Sequence, residues 1–210
     1  MTSELLDIYD DEDNPLGTAS RQEAHAKGYW HHTFHCWLAR DTSTGRRLLF
    51  QQRQDTKDTF PGCYDITAAG HLTSGEDMSQ AARELEEELG IHVPFTSLTP
   101  LMTVRYESKG TAQGTSFWDR EISSVFGLLS NQPLEAYCLQ QEEVAGLYEA
   151  DLEQALALFE GHIPFIEAQG ITSGPNPEKT RRLITPDQFV PHQAGYITSV
   201  CRALMELPSQ

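Results

Sequence analysis

The chain reads mainly as short runs in which apolar and polar residues alternate, separated by turn-forming clusters, with helical spacing in three places. Glu4-Leu-Leu-Asp-Ile-Tyr9 predicts a short strand, and Asp10 to Gly17, rich in Asp, Asn, Pro and Gly, a turn. Residues 18–28 are polar and read as a connection. Tyr29 to Leu38 is rich in aromatics and alternates enough for a strand with one buried face. Thr42 to Gly45 then forms a turn and Arg47 to Arg53 the return strand of a hairpin. Asp55 to Gly62 predicts a loop, and Tyr64 to Ala69 a short strand. Further strands fit 99–106 and 121–129, with 108–116 as a flexible turn between them, and Glu142 to Tyr148. Residues 161–193 carry five prolines and three glycines and read as irregular.

Two of the helical stretches are amphipathic: Asp151 to Glu160 (Leu152, Ala155, Leu156, Phe159) and about 194–207 (Ile197, Val200, Cys201, Leu204). The third follows a loop with two glycines, Gly70 and Gly75. It is expected to start near Asp77, with Asp77 and Gln80 as a capping box, and to stop at Gly90. Leu85 and Leu89 give this helix an apolar stripe, and Glu84, Glu87 and Glu88 share one of its faces. Like charges at that spacing destabilise a helix by a few tenths of a kcal/mol per pair. A divalent cation removes the repulsion, and hard cations such as Mg²⁺ take carboxylate oxygens while bridging to phosphates. A glutamate-rich helix by itself is more often only a solvated face, so the residues around it must decide.

Strands interleaved with helices, without a break in composition, predict one α/β domain over 1–210. Its parts are an N-terminal extension (1–30), a core (31–150) and a C-terminal helical extension (151–210). The formal net charge of −16 argues against a nucleic-acid partner, which needs a basic footprint. No run of about 18 apolar residues predicts a membrane span. The acidic start lacks the features of a signal peptide, so a cytoplasmic protein is expected. Cys36, Cys63, Cys138 and Cys201 are far apart and read as reduced packing residues.

Arg83-Glu84-Leu85-Glu86-Glu87-Glu88-Leu89-Gly90-Ile91, preceded by Gly70, five residues and Glu76, resembles the signature of the Nudix hydrolases. It departs in one place: six residues, Asp77 to Ala82, separate Glu76 from Arg83, where that family has seven. The resemblance implies an α/β/α sandwich around a mixed β-sheet and an enzyme that uses Mg²⁺ or Mn²⁺. Such an enzyme cleaves a diphosphate linked to another moiety by water attack at phosphorus. It also implies Glu84, Glu87 and Glu88 as metal ligands, joined by the carbonyl of Gly70, with Arg83 orienting the glutamates. Nudix enzymes often recruit a further carboxylate as ligand or base. Glu121 and Asp119, on one face of a strand, are candidates here, and Glu142 and Glu143 weaker ones.

A narrower resemblance covers roughly 4–150. The order Leu5-Leu-Asp-Ile-Tyr9, His31, His35-Cys-Trp37, Arg53, Lys57, Phe60-Pro-Gly62, Ala69-Gly-His71 is similar to a Nudix branch related to isopentenyl diphosphate isomerase. It implies Arg53 and Lys57 as diphosphate contacts, and His31, His71 and Glu121 as metal ligands. Alternation puts His31 and His35 on one strand face and His32 on the other. The isomerase's catalytic cysteine falls at Ala69, which disfavours isomerisation. A pyrophosphohydrolase acting on a small-molecule diphosphate, as monomer or homodimer, is therefore expected. An isomerase-like enzyme and a non-catalytic phosphometabolite-binding module are the alternatives. Trp30, Trp37 and Trp118 read as core or rim residues, and His192 as structural.

Overall fold

The computed structural model describes residues 4–112 and 114–209; Met1 to Ser3, Gln210 and Gln113, which falls in the expected 108–116 turn, lie outside the described residues. The chain begins with a hairpin, β1 (Leu5–Tyr9) and β2 (Pro15–Ser20), followed by α1 (Arg21–Lys27). The long strands β3 (Trp30–Thr42) and β4 (Gly45–Arg53) come next, then two short ones, β5 (Tyr64–Asp65) and β6 (Ala68–His71). Helix α2 (Arg83–Leu89) leads to the hairpin of β7 (Thr99–Ala112) and β8 (Thr115–Leu129). The remaining elements are β9 (Val144–Asp151), α3 (Leu152–Phe159), β10 (Ile166–Thr172), β11 (Lys179–Ile184) and α4 (Tyr196–Met205).

Strand β3 is the axis of a mixed sheet. One edge runs parallel to β8, from Trp30 opposite Arg120 to Ala39 opposite Leu129. Its other edge is antiparallel and shared: β1 at Trp30, β6 from Thr33 to Cys36, and β4 from Leu38 to Thr42. β3 and β4 part beyond Leu38, and β6 enters the gap. Thr67 bridges the fork, accepting from Leu38 N–H at 3.0 Å and donating its hydroxyl to Leu49 O at 2.5 Å. Strands β9, β10 and β11 extend the sheet beyond β4.

Alternation along β3 separates two cores. Phe34, Cys36 and Leu38 pack with Leu85 and Leu89 of α2 on one face. Trp37 and Ala39 pack with Leu152 and Leu158 of α3 and Val200 and Leu204 of α4 on the other. The result is the expected layering of helices on both sides of a mixed sheet. Among the described residues, no helix is long and apolar enough to cross a membrane.

Four local expectations are corrected. The polar stretch 18–28 ends β2 and then forms α1: Ser20 accepts from Glu23 N–H at 3.1 Å, a cap that stabilises a short helix whatever its polarity. The turn before it is shorter than expected, because Asp10 Oδ1 closes it by accepting from Asn14 N–H at 2.8 Å. The expected 108–116 turn is mostly strand, with pairing continuing to Thr111 opposite Ser116. Helix α2 starts at Arg83 rather than Asp77. Asp77 N–H does donate to Gln80 Oε1 at 2.9 Å, but Asp77 Oδ1 accepts from Ser79 N–H at 2.8 Å, so a tight turn and a 3₁₀ turn (Gln80–Ala82) precede the helix. It stops as expected at Gly90, where φ is 69°.

The largest correction concerns 161–193 in the helical extension. That segment holds β10 and β11 as well as connections, and β10 pairs with β9 from Ala168 to Thr172. Ile166 and Ala168 are buried on alternate positions, and every proline of the segment lies in a connection, where it removes no ladder hydrogen bond.

Candidate active site

The fork between β3 and β4 opens into a cleft of about 770 Å³. Arg53, Lys57, Gly70, His71, Arg83, Glu84, Glu87, Glu88 and Glu121 all line it, so every residue singled out from the two resemblances except His31 faces one space.

Its floor is α2. Leu85 and Leu89 are fully buried and anchor the helix, which turns Glu84 and Glu88 toward the cleft. Glu88 is buried and accepts from Ala69 N–H and from the Gln51 side-chain amide, both at 3.3 Å. Gly70 lies directly against Glu84: a Cβ there would stand 2.3 Å from the carboxyl carbon. Only a glycine lets the backbone come so close. Glu87 is half-exposed at the rim. Arg83 ties the group together, donating to Glu84 at 2.6 Å, to Glu87 at 3.0 Å and through Nε to Glu76 at 2.8 Å. Glu76 is itself held by Thr73 N–H at 2.9 Å. The link that is one residue short therefore still delivers Glu76 to Arg83.

Burial, and then repulsion from Glu84, pushes the Glu88 carboxyl up to about 8, against the pull of Lys57. Burial likewise pushes Glu84 up to about 7, although Arg83 opposes it. Two carboxyls are thus crowded without enough positive charge. Carboxylate oxygens packed against the Gly70 backbone suit a hard divalent cation, and these residues fit one.

A second cluster is assembled from four elements. His25 comes from α1, His31 from β3, His71 from β6, and Asp119 and Glu121 from β8. Ligand atoms of His25, His31 and His71 lie within 4.8 Å of one another, as do those of His31, Asp119 and Glu121. Asp119 Oδ1 is 3.4 Å from His25 Nε2 and 3.5 Å from His31 Nε2. The Nε2 atoms of all three histidines and Asp119 Oδ1 are buried without a hydrogen-bond partner. Buried polar atoms are rarely left so, and four that converge have the chemistry of a ligand set. His31 Nδ1 stands 3.1 Å from Tyr29 O; donating there, it keeps Nε2 unprotonated. Burial pushes His25 and His31 down to about 4, and His71 well below its ordinary value. The imidazoles are therefore neutral, the form that binds metal. Burial raises Asp119, and raises Glu121 to about 8. This mixed nitrogen and oxygen set also fits a divalent cation.

The other histidines of β3 divide as alternation requires. His32 turns away, 3.2 Å from Asp13, while His35 Nδ1 meets the hydroxyl of Tyr196 at 2.9 Å. Arg53 and Lys57 reach the cleft already engaged. Arg53 donates to Asp65 at 2.9 Å and to Thr59 O at 3.0 Å, and Lys57 pairs with Glu143. Ala69 presents a methyl group at the cleft wall, and no cysteine lines the cleft among the described residues.

Two residues at the site lay outside the sequence reading, and a third, His192, had only a structural expectation. Arg21 and His25 share a face of α1, and the signal for that helix was present as Ser20 and Glu23, a capping-box spacing. His192 enters from the C-terminal extension and stands 3.2 Å from Asp65, a contact no local pattern announces.

The NUDIX domain profile matches residues 29–169. An uncharacterized Nudix hydrolase of Clostridium acetobutylicum is 36% identical over 208 residues, covering 98% of this chain and 99% of that protein. An isopentenyl-diphosphate Delta-isomerase of Pectobacterium atrosepticum is 35% identical over 100 residues, 47% of this chain and 52% of that one. A crystal structure from Deinococcus radiodurans superimposes with a TM-score of 0.54 at 21% identity, over 75% of this chain and 90% of that chain, a likeness of fold.

Proposed function

This chain belongs to the Nudix family and is a metal-dependent pyrophosphohydrolase, and from that premise we propose how its cleft divides the work. Glu84, Glu87 and Glu88, with the Gly70 carbonyl, hold one divalent cation, Mg²⁺ or Mn²⁺. His25, His31, His71, Asp119 and Glu121 hold a second. When bound, such ions neutralise the carboxylates and stabilise charge on the phosphate oxygens. Arg83 fixes the directions of Glu84 and Glu87. Lys57, released from Glu143, meets the diphosphate as a point charge, and Arg53 uses the Nη1–H left free by Asp65 and Thr59. We read residues 1–210 as one domain, since β10 and β11 continue the sheet of the core.

The observation that carries this reading is the pair of crowded carboxyls, Glu84 and Glu88, on the floor of a cleft with cationic side chains around it. Neither an isomerase lacking a thiol nor a passive binding module accounts for that crowding. The test is a hydrolysis screen with Mg²⁺ or Mn²⁺ over nucleoside diphosphate sugars, dinucleoside polyphosphates, coenzyme derivatives and isoprenoid diphosphates. At least one class should be cleaved, with oxygen from labelled water appearing in a product phosphate. Proton exchange into isopentenyl diphosphate in heavy water, without hydrolysis of any class, would overturn it in favour of the isomerase.

A further inference from the structure

The chain that follows β11 does more than cover the sheet. Phe189 is buried among Phe50, Tyr64 and Phe159, and Val190 N–H donates to Tyr64 O at 2.8 Å. Tyr106 donates its hydroxyl to Pro191 O at 3.4 Å. These contacts already fix the segment, and they set His192 on the cleft wall with 15% of its side chain exposed. Its Nε2 stands 3.2 Å from Asp65 Oδ1. Asp65 has further partners besides His192. It already accepts from Arg53 through Oδ2 at 2.9 Å and from Ile66 N–H through Oδ1 at 2.8 Å. Anchoring the segment does not by itself explain why an imidazole stands here.

What the arrangement does achieve is a fixed tautomer. Asp65 is buried; burial favours its neutral form, but the bonds from His192, Arg53 and Ile66 outweigh that and lower it to about 2. An ionised carboxylate at Nε2 holds the proton there and leaves Nδ1 bare. Among the described residues Nδ1 makes no hydrogen bond, which leaves it free to accept a proton on a residue that lines the cleft. The charged and titratable groups around the ring are Asp65 on β5, Arg53 on β4 through Asp65, His35 on β3, Tyr106 on β7 and Tyr196 on α4, whose ring centroid is 4.9 Å away. Asp65 pairs in register with Gln51, whose amide donates to Glu88. The dyad therefore stands one side chain from the carboxylate floor.

We infer that His192, oriented by Asp65, is the general base of the hydrolysis, accepting the proton of the attacking water at Nδ1. The inference rests on the hydrolase reading of the same cleft. The O–H bond of water breaks as its oxygen bonds to phosphorus, and the proton passes to Nδ1. The anhydride P–O bond breaks with its electron pair on the departing phosphate, and the imidazolium returns its proton to that phosphate or to solvent. Two other groups of the cleft are committed elsewhere: Glu121 belongs to the histidine cluster, and His35 faces Tyr196.

The test uses the full chain with Mg²⁺, and ADP-ribose, diadenosine tetraphosphate and isopentenyl diphosphate as probes. His192→Gln should lower kcat by about 100-fold with little change in KM, and one ionisation should leave the kcat–pH profile. In His192→Gly, added imidazole should restore part of kcat, which a strut for the segment would not allow. ¹⁵N spectra of the wild-type imidazole should show Nδ1 unprotonated and Nε2 protonated, the reverse tautomer being fatal to the idea. Active wild-type protein with His192→Gln unchanged in kcat, or with its loss unaffected by imidazole and matched by a loss of folding, overturns the role alone. Wild-type protein inactive on all three probes and on the coenzyme derivatives of the wider screen overturns the hydrolase reading and the role with it.

Discussion

The carboxylates of α2 and the imidazoles around His31 are both suited to a cation, but they are built differently. Glu84 and Glu88 come from adjacent turns of one helix, and the short segment from Gly70 to Glu88 supplies the whole set. His25, His31, His71, Asp119 and Glu121 come from α1, β3, β6 and β8, and no two neighbours in sequence complete a pair of ligands except Asp119 and Glu121. The carboxyls of α2 are charged ligands crowded together, and burial pushes them toward the protonated form. The imidazoles are neutral ligands, and burial pushes them toward the form that binds metal. The first set must lose protons to take an ion; the histidines of the second need not. The helix site should therefore exchange its ion with pH and turnover more readily than the histidine site, where three neutral imidazoles join the raised carboxyls Asp119 and Glu121.

The largest effect that tests this difference is on turnover. Glu88→Gln should reduce kcat on the order of 10²–10³-fold, the scale of losing a preorganised electrostatic group. Glu87→Gln should cost distinctly less, because Glu87 is half-exposed and held only by Arg83. The double variant leaving metal-dependent hydrolysis unchanged would remove α2 from the mechanism altogether. Next in size is ion affinity. Calorimetric titration with Mn²⁺ should resolve two events in wild-type protein. His31→Gln should abolish or weaken the tighter one about 10–100-fold while the weaker persists. A single event untouched by His31→Gln would leave the histidine cluster a packed polar group and nothing more.

A smaller effect tests how the helix site is shaped. Gly70→Ala puts a methyl group where the Glu84 carboxyl now lies, at 2.3 Å. The carboxylate must swing away, so Mg²⁺ should bind about 10-fold more weakly, with Mn²⁺ at the histidine cluster unaffected. Equal losses at both sites would mean that the two share their backbone support through β6, which carries both Gly70 and His71.

The same contrast explains what the sequence could tell. The α2 site was legible because helical spacing alone places Glu84, Glu87 and Glu88, and because the residues around them resemble a known signature. His71 and Glu121 were reached through the narrower resemblance. His25 was hidden in a stretch whose polarity outweighed its cap at Ser20. The hairpin β10–β11 was hidden by counting prolines over the whole segment instead of noting where each one fell. Contacts such as that of His192 with Asp65 join residues from opposite ends of the chain, and they exist only once Phe189 has found its place among Phe50 and Tyr64. Local pattern carries no trace of that.

The smallest effect is on stability, and there the carboxyls and the histidines pull in opposite directions. In the unfolded chain Glu84, Glu88 and Glu121 titrate near 4.5; in the folded, metal-free protein they are raised to about 7, about 8 and about 8. A raised pKa means that the native state binds the extra protons. The stability it contributes is complete below about 4.5 and is lost as pH rises through the folded values. His25 and His31 are lowered from 6.5 to about 4, so their contribution is complete above 6.5 and is lost as pH falls toward 4. Below pH 6.5 the two trends oppose each other. Between 6.5 and 8 only the carboxyls slope, and the protein stripped of metal should lose a few degrees of Tm over that interval. Excess Mg²⁺ should flatten the fall, because an ion bound to the ionised carboxylates replaces the protons they lose and stabilises the native state by mass action. Glu88→Gln should flatten it without metal. A Tm that rises from pH 6.5 to 8 in the stripped protein would mean that the carboxyls of α2 are already compensated, and that the cleft floor is not waiting for a cation.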